Sequence, residues 1–206
     1  MHGKFNIFLR FPRILINKCM TTLSDQINYS YWSNVEKYKE QNYAWMLNHK
    51  DLATHAVTLT HDPSKIQSYL NKYNMKMDFN HPYLIKKYKN EMRYFGQLLG
   101  KCLFGKSAQR YGEKLLLIPV LEGIENNAFP HYHCTIGIDA KRLDVANDKI
   151  LSCWQQTRFS GYHNEVKPYR DEGWLSYNTK RCMFPGKEVI DWENVLLPAS
   201  SQSIPG

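Results

Sequence analysis

Hydrophobic and polar positions follow two periods along this chain, and each period predicts a set of elements. Period two marks Thr54–His61 as a first strand, rich in β-branched residues, which Asp62-Pro63-Ser64 ends. The apolar run Leu115–Ile124 reads as a second strand. Glu125-Asn126-Asn127-Ala128 reads as a turn, and the alternating stretch to Ile138 as a third strand, closing a hairpin. Glu165–Arg170 is a candidate fourth strand. Helical spacing marks Ser24–Asn48, through Ile27, Tyr31, Val35 and Tyr38, and a short helix is expected within Ser64–Tyr73. The clearest amphipathic run is Tyr83–Phe104, where Leu84, Ile85, Tyr88, Met92, Phe95, Leu98, Leu99 and Cys102 form one stripe. Asp139–Gln155 and a segment from Gly173 to Arg181 complete the helices. This mixed order predicts an α+β domain with a mainly antiparallel sheet covered by helices. Residues 1–50 read as a basic arm and helix, 51–185 as the main domain and 186–206 as a tail expected to fray, within one globular unit overall.

The third strand carries the first candidate chemistry, in Pro130-His131-Tyr132-His133. On a strand, positions i and i+2 share a face, so His131 and His133 project side by side and Tyr132 turns to the other side. Two neighbouring imidazoles can share a metal ion. The hairpin lays Glu122 beside them, and a carboxylate with two imidazoles suits Mn²⁺, Mg²⁺ with waters, or Zn²⁺. The bland alternative is a chance pair of histidines with Glu122 on the wet face of its strand.

Further along, Tyr177-Asn178-Thr179-Lys180 sets a phenol and an ammonium on neighbouring positions of one helix face. A tyrosine, with an ordinary pKa of about 10, becomes a useful nucleophile when a cation or metal stabilises its anion or the charge on the group attacked. By itself this spacing more often means a packed tyrosine and a solvated lysine.

Net charge refines the picture. The chain of 206 residues carries +8, with a pI near 9.1, which suits a polyanionic partner such as nucleic acid. Residues 1–110 hold 17 Lys+Arg against 7 Asp+Glu, and residues 111–206 hold 10 against 12, so the basic surface belongs to the first half. Lys86, Lys87, Lys89 and Arg93 lie on the outer face of the amphipathic helix, where they either solvate it or line a phosphate track. Tyr31, Trp32, Tyr38, Tyr43 and Trp45 can stack on bases, although aromatics at helical spacing more often enter a core. The five cysteines are odd in number and form no C-x-x-C pair, which argues against a disulfide framework and for a reducing, cytoplasmic setting. No apolar run approaches the ~18 residues of a bilayer span. Arg10, Pro12 and Arg13 interrupt the apolar N-terminal stretch, so a signal peptide is not expected. Residues 1–20 read as an arm, or as sequence upstream of a start at Met20.

Thr58-Leu59-Thr60 at a strand end, Glu122 with Pro130-His131-Tyr132-His133, and Trp174-Leu175-Ser176-Tyr177-Asn178-Thr179-Lys180 occur in that order. Together they resemble the three motifs of the HUH endonuclease superfamily, the rolling-circle replication initiators of plasmids and small phages. The resemblance covers residues 54–181 or so. It implies a central, mainly antiparallel sheet of about five strands flanked by helices, with the histidines on a middle strand. It implies Mg²⁺ or Mn²⁺ held by His131, His133 and Glu122. Tyr177 would attack phosphorus in line, giving a 5′-phosphotyrosine and a free 3′-OH, with Lys180 orienting or neutralising the reacting groups. Only one tyrosine fits the third motif, with Tyr162 and Tyr169 in reserve. His61 departs from the family pattern and reads as a strand-end residue rather than an extra ligand. Expected partners are single-stranded origin DNA, gripped by Lys86, Lys87, Lys89, Arg93 and Arg181, and a host helicase and polymerase, because no phosphate-loop motif is present. A transposase of the same superfamily and a non-catalytic nucleic-acid-binding protein or repressor are the alternatives.

Overall fold

The computed structural model describes residues 23–105, 115–124, 128–180, 182 and 189–198, with residues 23–30 as helix backbone only. The chain runs α1 (Leu23–Leu47), β1 (His55–Thr60), α2 (Pro63–Lys72), α3 (Pro82–Phe104), β2 (Leu116–Glu122), β3 (His131–Gly137), α4 (Leu143–Gln155), β4 (Glu165–Pro168) and α5 (Gly173–Thr179). The expected α+β class holds: one antiparallel sheet, ordered β2-β3-β1-β4, lies among the helices, and the histidine strand is central. Four strands are present among the described residues against about five expected.

Local chemistry starts and stops these elements. Asp62 caps α2, its Oδ1 accepting from Ser64 N at 2.8 Å, and Pro63 supplies the fixed φ of a first helical residue. His81 Nδ1 accepts from Tyr83 N at 3.2 Å to cap α3, and Gly105 at φ 59° ends it. Gly123, at φ 94°, follows Glu122 directly. A Cβ there would fall 2.5 Å from the Phe129 carbonyl oxygen, so only glycine lets the chain leave β2 this close to the approach of β3.

Alternation sorts the sheet into two faces. Val57, Leu59, Leu117, Leu121, Tyr132, Cys134 and Ile136 face the larger core, under the stripe of α3 (Leu84, Tyr88, Met92, Phe95, Leu99) and under Ile150, Cys153 and Trp154 of α4. Leu116, Ile118 and Val120 face the smaller core, with Met46 of α1 and Leu175 of α5. Burying each such large apolar side chain contributes about 1.5–3 kcal/mol, so both faces are committed. A one-residue slip of register would exchange the two sets.

The stretch after Pro185 does not fray where it is described. Leu196 exchanges two backbone bonds of 2.9 Å with Leu117, Asp191 N donates to Pro119 O at 2.8 Å, and Leu121 N donates to Val189 O at 2.6 Å. This ribbon covers the outer edge of β2, where exposed N–H and C=O groups would invite aggregation. Pro119, lacking a donor, sits on that edge strand as expected. The N-terminal helix is likewise no appendage: Met46, Tyr38, Tyr43 and Trp45 pack in the smaller core, whereas Tyr31 and Trp32 stay exposed.

Candidate metal centre

Register builds the centre. Glu122 at the end of β2 pairs directly with His131 at the start of β3, and His133 lies two residues on, on the same face. The imidazole planes stand at 89° with centroids 4.8 Å apart, and the two Nε2 atoms approach to 3.1 Å. Glu122 Oε2 lies 3.7 Å from His133 Nε2 and 3.9 Å from His131 Nε2. Glu122 is 5% exposed, and its Oε1 is buried with no hydrogen-bond partner.

The outer nitrogens fix how the rings present themselves. His131 Nδ1 is 3.0 Å from the Phe129 carbonyl, which only accepts, so Nδ1 carries the proton and a neutral His131 offers a bare Nε2. His133 Nδ1 is 3.1 Å from Thr58 Oγ1 on β1, a hydroxyl that can donate or accept. In this arrangement His133 Nε2–H can donate to His131 Nε2 while Thr58 O–H donates to His133 Nδ1. A cation between the rings calls for the reverse, with Nδ1–H donating to Thr58. Burial, then the charges of His131 and Lys180, push the His133 pKa down to about 3, so this ring stays neutral over the physiological range.

This donor set could hold a metal ion. The three residues' ligand atoms lie within 4.8 Å of one another. An octahedral ion with ligands at about 2.1 Å spaces adjacent donors about 3.0 Å apart, close to the Nε2 separation. The orphaned Oε1 leaves the carboxylate with acceptor capacity that only a cation or water would use. Two imidazoles and a carboxylate alone do not select among the divalent metals.

The short helix α5 closes the site from the smaller-core side. Leu175 anchors it, and Trp174 Nε1 donates to Thr135 Oγ1 at 3.1 Å, pinning the indole to the sheet face beside His133. The Tyr177 ring lies nearly parallel to Trp174 and edge-on to His133, with centroids 5.1 Å apart. Tyr177 is 43% exposed and so open to a large ligand. Lys180 holds its Nζ 3.1 Å from the Tyr177 ring centroid and 3.4 Å from Glu122 Oε2. All five expected site residues, Glu122, His131, His133, Tyr177 and Lys180, therefore converge.

The expected DNA contacts do not join them. Lys86, Lys87, Lys89 and Arg93 belong to α3, which packs on the opposite face of the sheet, so they form no track past the histidines. Lys89 pairs with Asp191 and Glu193 at 3.7 Å each, and Arg93 with Glu193 at 3.2 Å. Arg181 lies outside the described residues, as do residues 1–20 and the turn at Glu125–Asn127. His61 also turns away: it is buried against Tyr88 and Trp154, its ring Nδ1 donating to Pro130 O at 2.9 Å. Of the reserve tyrosines, Tyr162 is exposed beside Lys65, and Tyr169 packs near Glu172 and Lys50. The sequence reading missed the supporting shell of Thr58, Thr135 and the Phe129 carbonyl. Thr58 was visible only as part of a strand-end motif, because its partner depends on β1–β3 pairing. No family model, curated protein or solved structure matches the chain.

Proposed function

We propose that this protein is a metal-dependent endonuclease that cuts one strand of DNA with Tyr177 and initiates rolling-circle replication. The observation that supports it best is the meeting of two separate elements. Helix α5 brings Tyr177 to 5.1 Å from His133, ring to ring, and Lys180 to 3.4 Å from Glu122. A metal site for hydrolysis by water would need neither residue.

In this reading His131, His133 and Glu122 would hold Mg²⁺ or Mn²⁺, which would supply Lewis-acid stabilisation of charge developing on the scissile phosphate. Thr58 and the Phe129 carbonyl keep both imidazoles turned inward. Tyr177 Oη attacks phosphorus and loses its proton to solvent. The P–O3′ bond breaks, and the departing 3′ oxygen takes up a proton. One phosphodiester is exchanged for another, so the step consumes no nucleotide and can run backwards to rejoin the strand. Lys180 offsets negative charge on the phenolate and phosphate, and Trp174 fixes the plane of the attacking ring. The free 3′-OH is a primer, which makes a host helicase and polymerase the natural partners in the cytoplasm.

The direct test is incubation of the protein with labelled single-stranded DNA and Mn²⁺, followed by a denaturing gel. A labelled protein–DNA adduct is expected, absent without metal and absent in Tyr177→Phe. An adduct that survives Tyr177→Phe moves the nucleophile to Tyr162 or Tyr169. Cleavage without any adduct in the wild type overturns the tyrosine mechanism.

A further inference from the structure

Beyond the metal centre, cations and rings among the described residues gather around α2. Ser64, Lys65, Tyr69, Lys72, Tyr73 and Arg158 line an open cleft of about 540 Å³. Among the described residues no carboxylate lines it. The cations and rings alternate: Lys72 Nζ lies 5.5 Å from the Tyr73 ring centroid, and the Arg158 guanidinium 5.5 Å from that of Tyr69. Lys65 Nζ is 5.2 Å from the Tyr162 ring, and Lys87 Nζ 5.1 Å from Tyr83. Tyr73 and Tyr162 are 54% and 74% exposed, an unusual outlay of aromatic surface on water.

One segment joins this cleft to the metal centre. Lys65 Nζ donates to Ser160 O at 2.7 Å. From the same segment Asn164 Oδ1 accepts from Thr60 N at 2.8 Å, and Gly161 N donates to Thr60 O at 2.6 Å. Thr60 pairs across the sheet with His131. Ile66 and Leu70 seat α2 in the larger core, so cleft and metal centre share one end of the sheet from opposite faces, and a strand joining them passes around that end.

We propose that this cleft is a second, non-catalytic binding site for single-stranded DNA, holding nucleotides that flank the segment at the metal centre. Cations spaced between exposed rings match a strand in which phosphates alternate with unstacked bases, whereas a duplex hides its base faces. The proposal rests on the DNA-cutting reading for its ligand but not for its test. Lys87, expected from the sequence to contact DNA, lies over Tyr83, whose hydroxyl is 2.8 Å from that of Tyr69 in the cleft lining, and so would act beside the cleft rather than at the site of cutting.

The experiment measures anisotropy of a labelled 20-nucleotide oligo-dT in EDTA, on full-length protein carrying Tyr177→Phe, so that neither metal nor cutting enters. Adding Tyr73→Ala is expected to weaken binding about fivefold or more, the lower end of one lost base stack. Tyr73→Phe, which keeps the ring, should restore it. Lys72→Gln with Arg158→Gln should weaken binding and flatten the salt dependence by about 0.7 in log–log slope per lost contact. Lys141→Gln, away from the cleft, should change neither ring dependence nor affinity by more than about twofold. Unchanged affinity in the Tyr73 and double variants overturns the proposal. So does an equal loss of binding to a 20-base-pair duplex. If the oligonucleotide binds through the cleft while the wild type never forms an adduct with Mn²⁺, the cutting reading fails and the cleft stands.

Discussion

Lys180 places its ammonium 3.4 Å from the Glu122 carboxylate, the same oxygen that faces both imidazoles. A buried carboxylate thus has a cation before any metal arrives. At such distances two charges interact by several kcal/mol for an effective dielectric near 20. The lysine side chain is 31% exposed and can swing toward solvent or phosphate, so its net hold is far smaller.

Removing that competitor should strengthen metal binding while weakening catalysis. Lys180→Met is expected to tighten Mn²⁺ binding by about tenfold, or about 1.4 kcal/mol, in a calorimetric titration, and to slow adduct formation. Unchanged or weaker Mn²⁺ binding would show that Lys180 does not compete for Glu122.

Thr58 should matter through His133 alone. Thr58→Val keeps the shape but deletes the hydroxyl at Nδ1. A 10–100-fold loss of metal affinity is expected, the usual effect of removing a hydrogen bond behind a ligand. Thr58→Ser should recover most of it, and a Val variant that binds metal normally would remove Thr58 from the site.

Tyr132 separates the two faces experimentally. Its hydroxyl donates to buried Asp191 at 3.1 Å, in the larger core, and burial raises the Asp191 pKa. Tyr132→Phe removes one of that carboxylate's few donors and should destabilise the fold by roughly 1–3 kcal/mol in urea denaturation. Mn²⁺ affinity should stay within about twofold, since the phenol points away from His131 and His133. A large loss of metal affinity in the folded variant would mean that the two faces are not independent.

His61 predicts acid sensitivity. Its Nδ1 proton goes to Pro130 O, while Nε2 sits buried without a partner, so protonation would leave a charged donor in a dry interior. Burial, the largest cause, lowers its pKa to about 4. The unfolded chain, with an ordinary histidine pKa near 6.5, therefore binds a proton that the folded chain refuses. Stability falls as pH drops below about 6.5 toward 4, by up to about 1.4 kcal/mol per pH unit from this group. His61→Phe should remove that part of the slope. Unfolding curves of both proteins from pH 7 to pH 4.5 should converge or cross as pH falls, and parallel curves would exclude His61 as the cause.

Much of this could be read from the residues in line. The side-chain period of a strand is a property of the local backbone, so His131 and His133 had to share a face and Tyr132 had to oppose them. The apolar stripe of Tyr83–Phe104 and the proline and glycine boundaries are equally local, and most elements begin and end within a residue or two of expectation, the helix expected from Asp139 starting only at Leu143. The hairpin that lays Glu122 beside the two histidines was legible too, although β2 ends at Glu122 rather than Ile124 and the turn expected at Glu125–Ala128 lies mostly outside the described residues.

Tertiary structure decided the rest, because register between distant strands and the choice of sheet face depend on long-range packing. Only the pairing of β1 with β3 gives Thr58 to His133. Only the docking of α5 brings Lys180 to Glu122, and only the packing of α3 on the opposite face takes its basic residues away from the histidines. The segment around Ile190 and Leu196 was expected from sequence to fray, yet the unpaired edge of β2 gave its backbone somewhere to bond. Local geometry says which way a side chain points; what stands opposite is settled when the whole chain closes on its core.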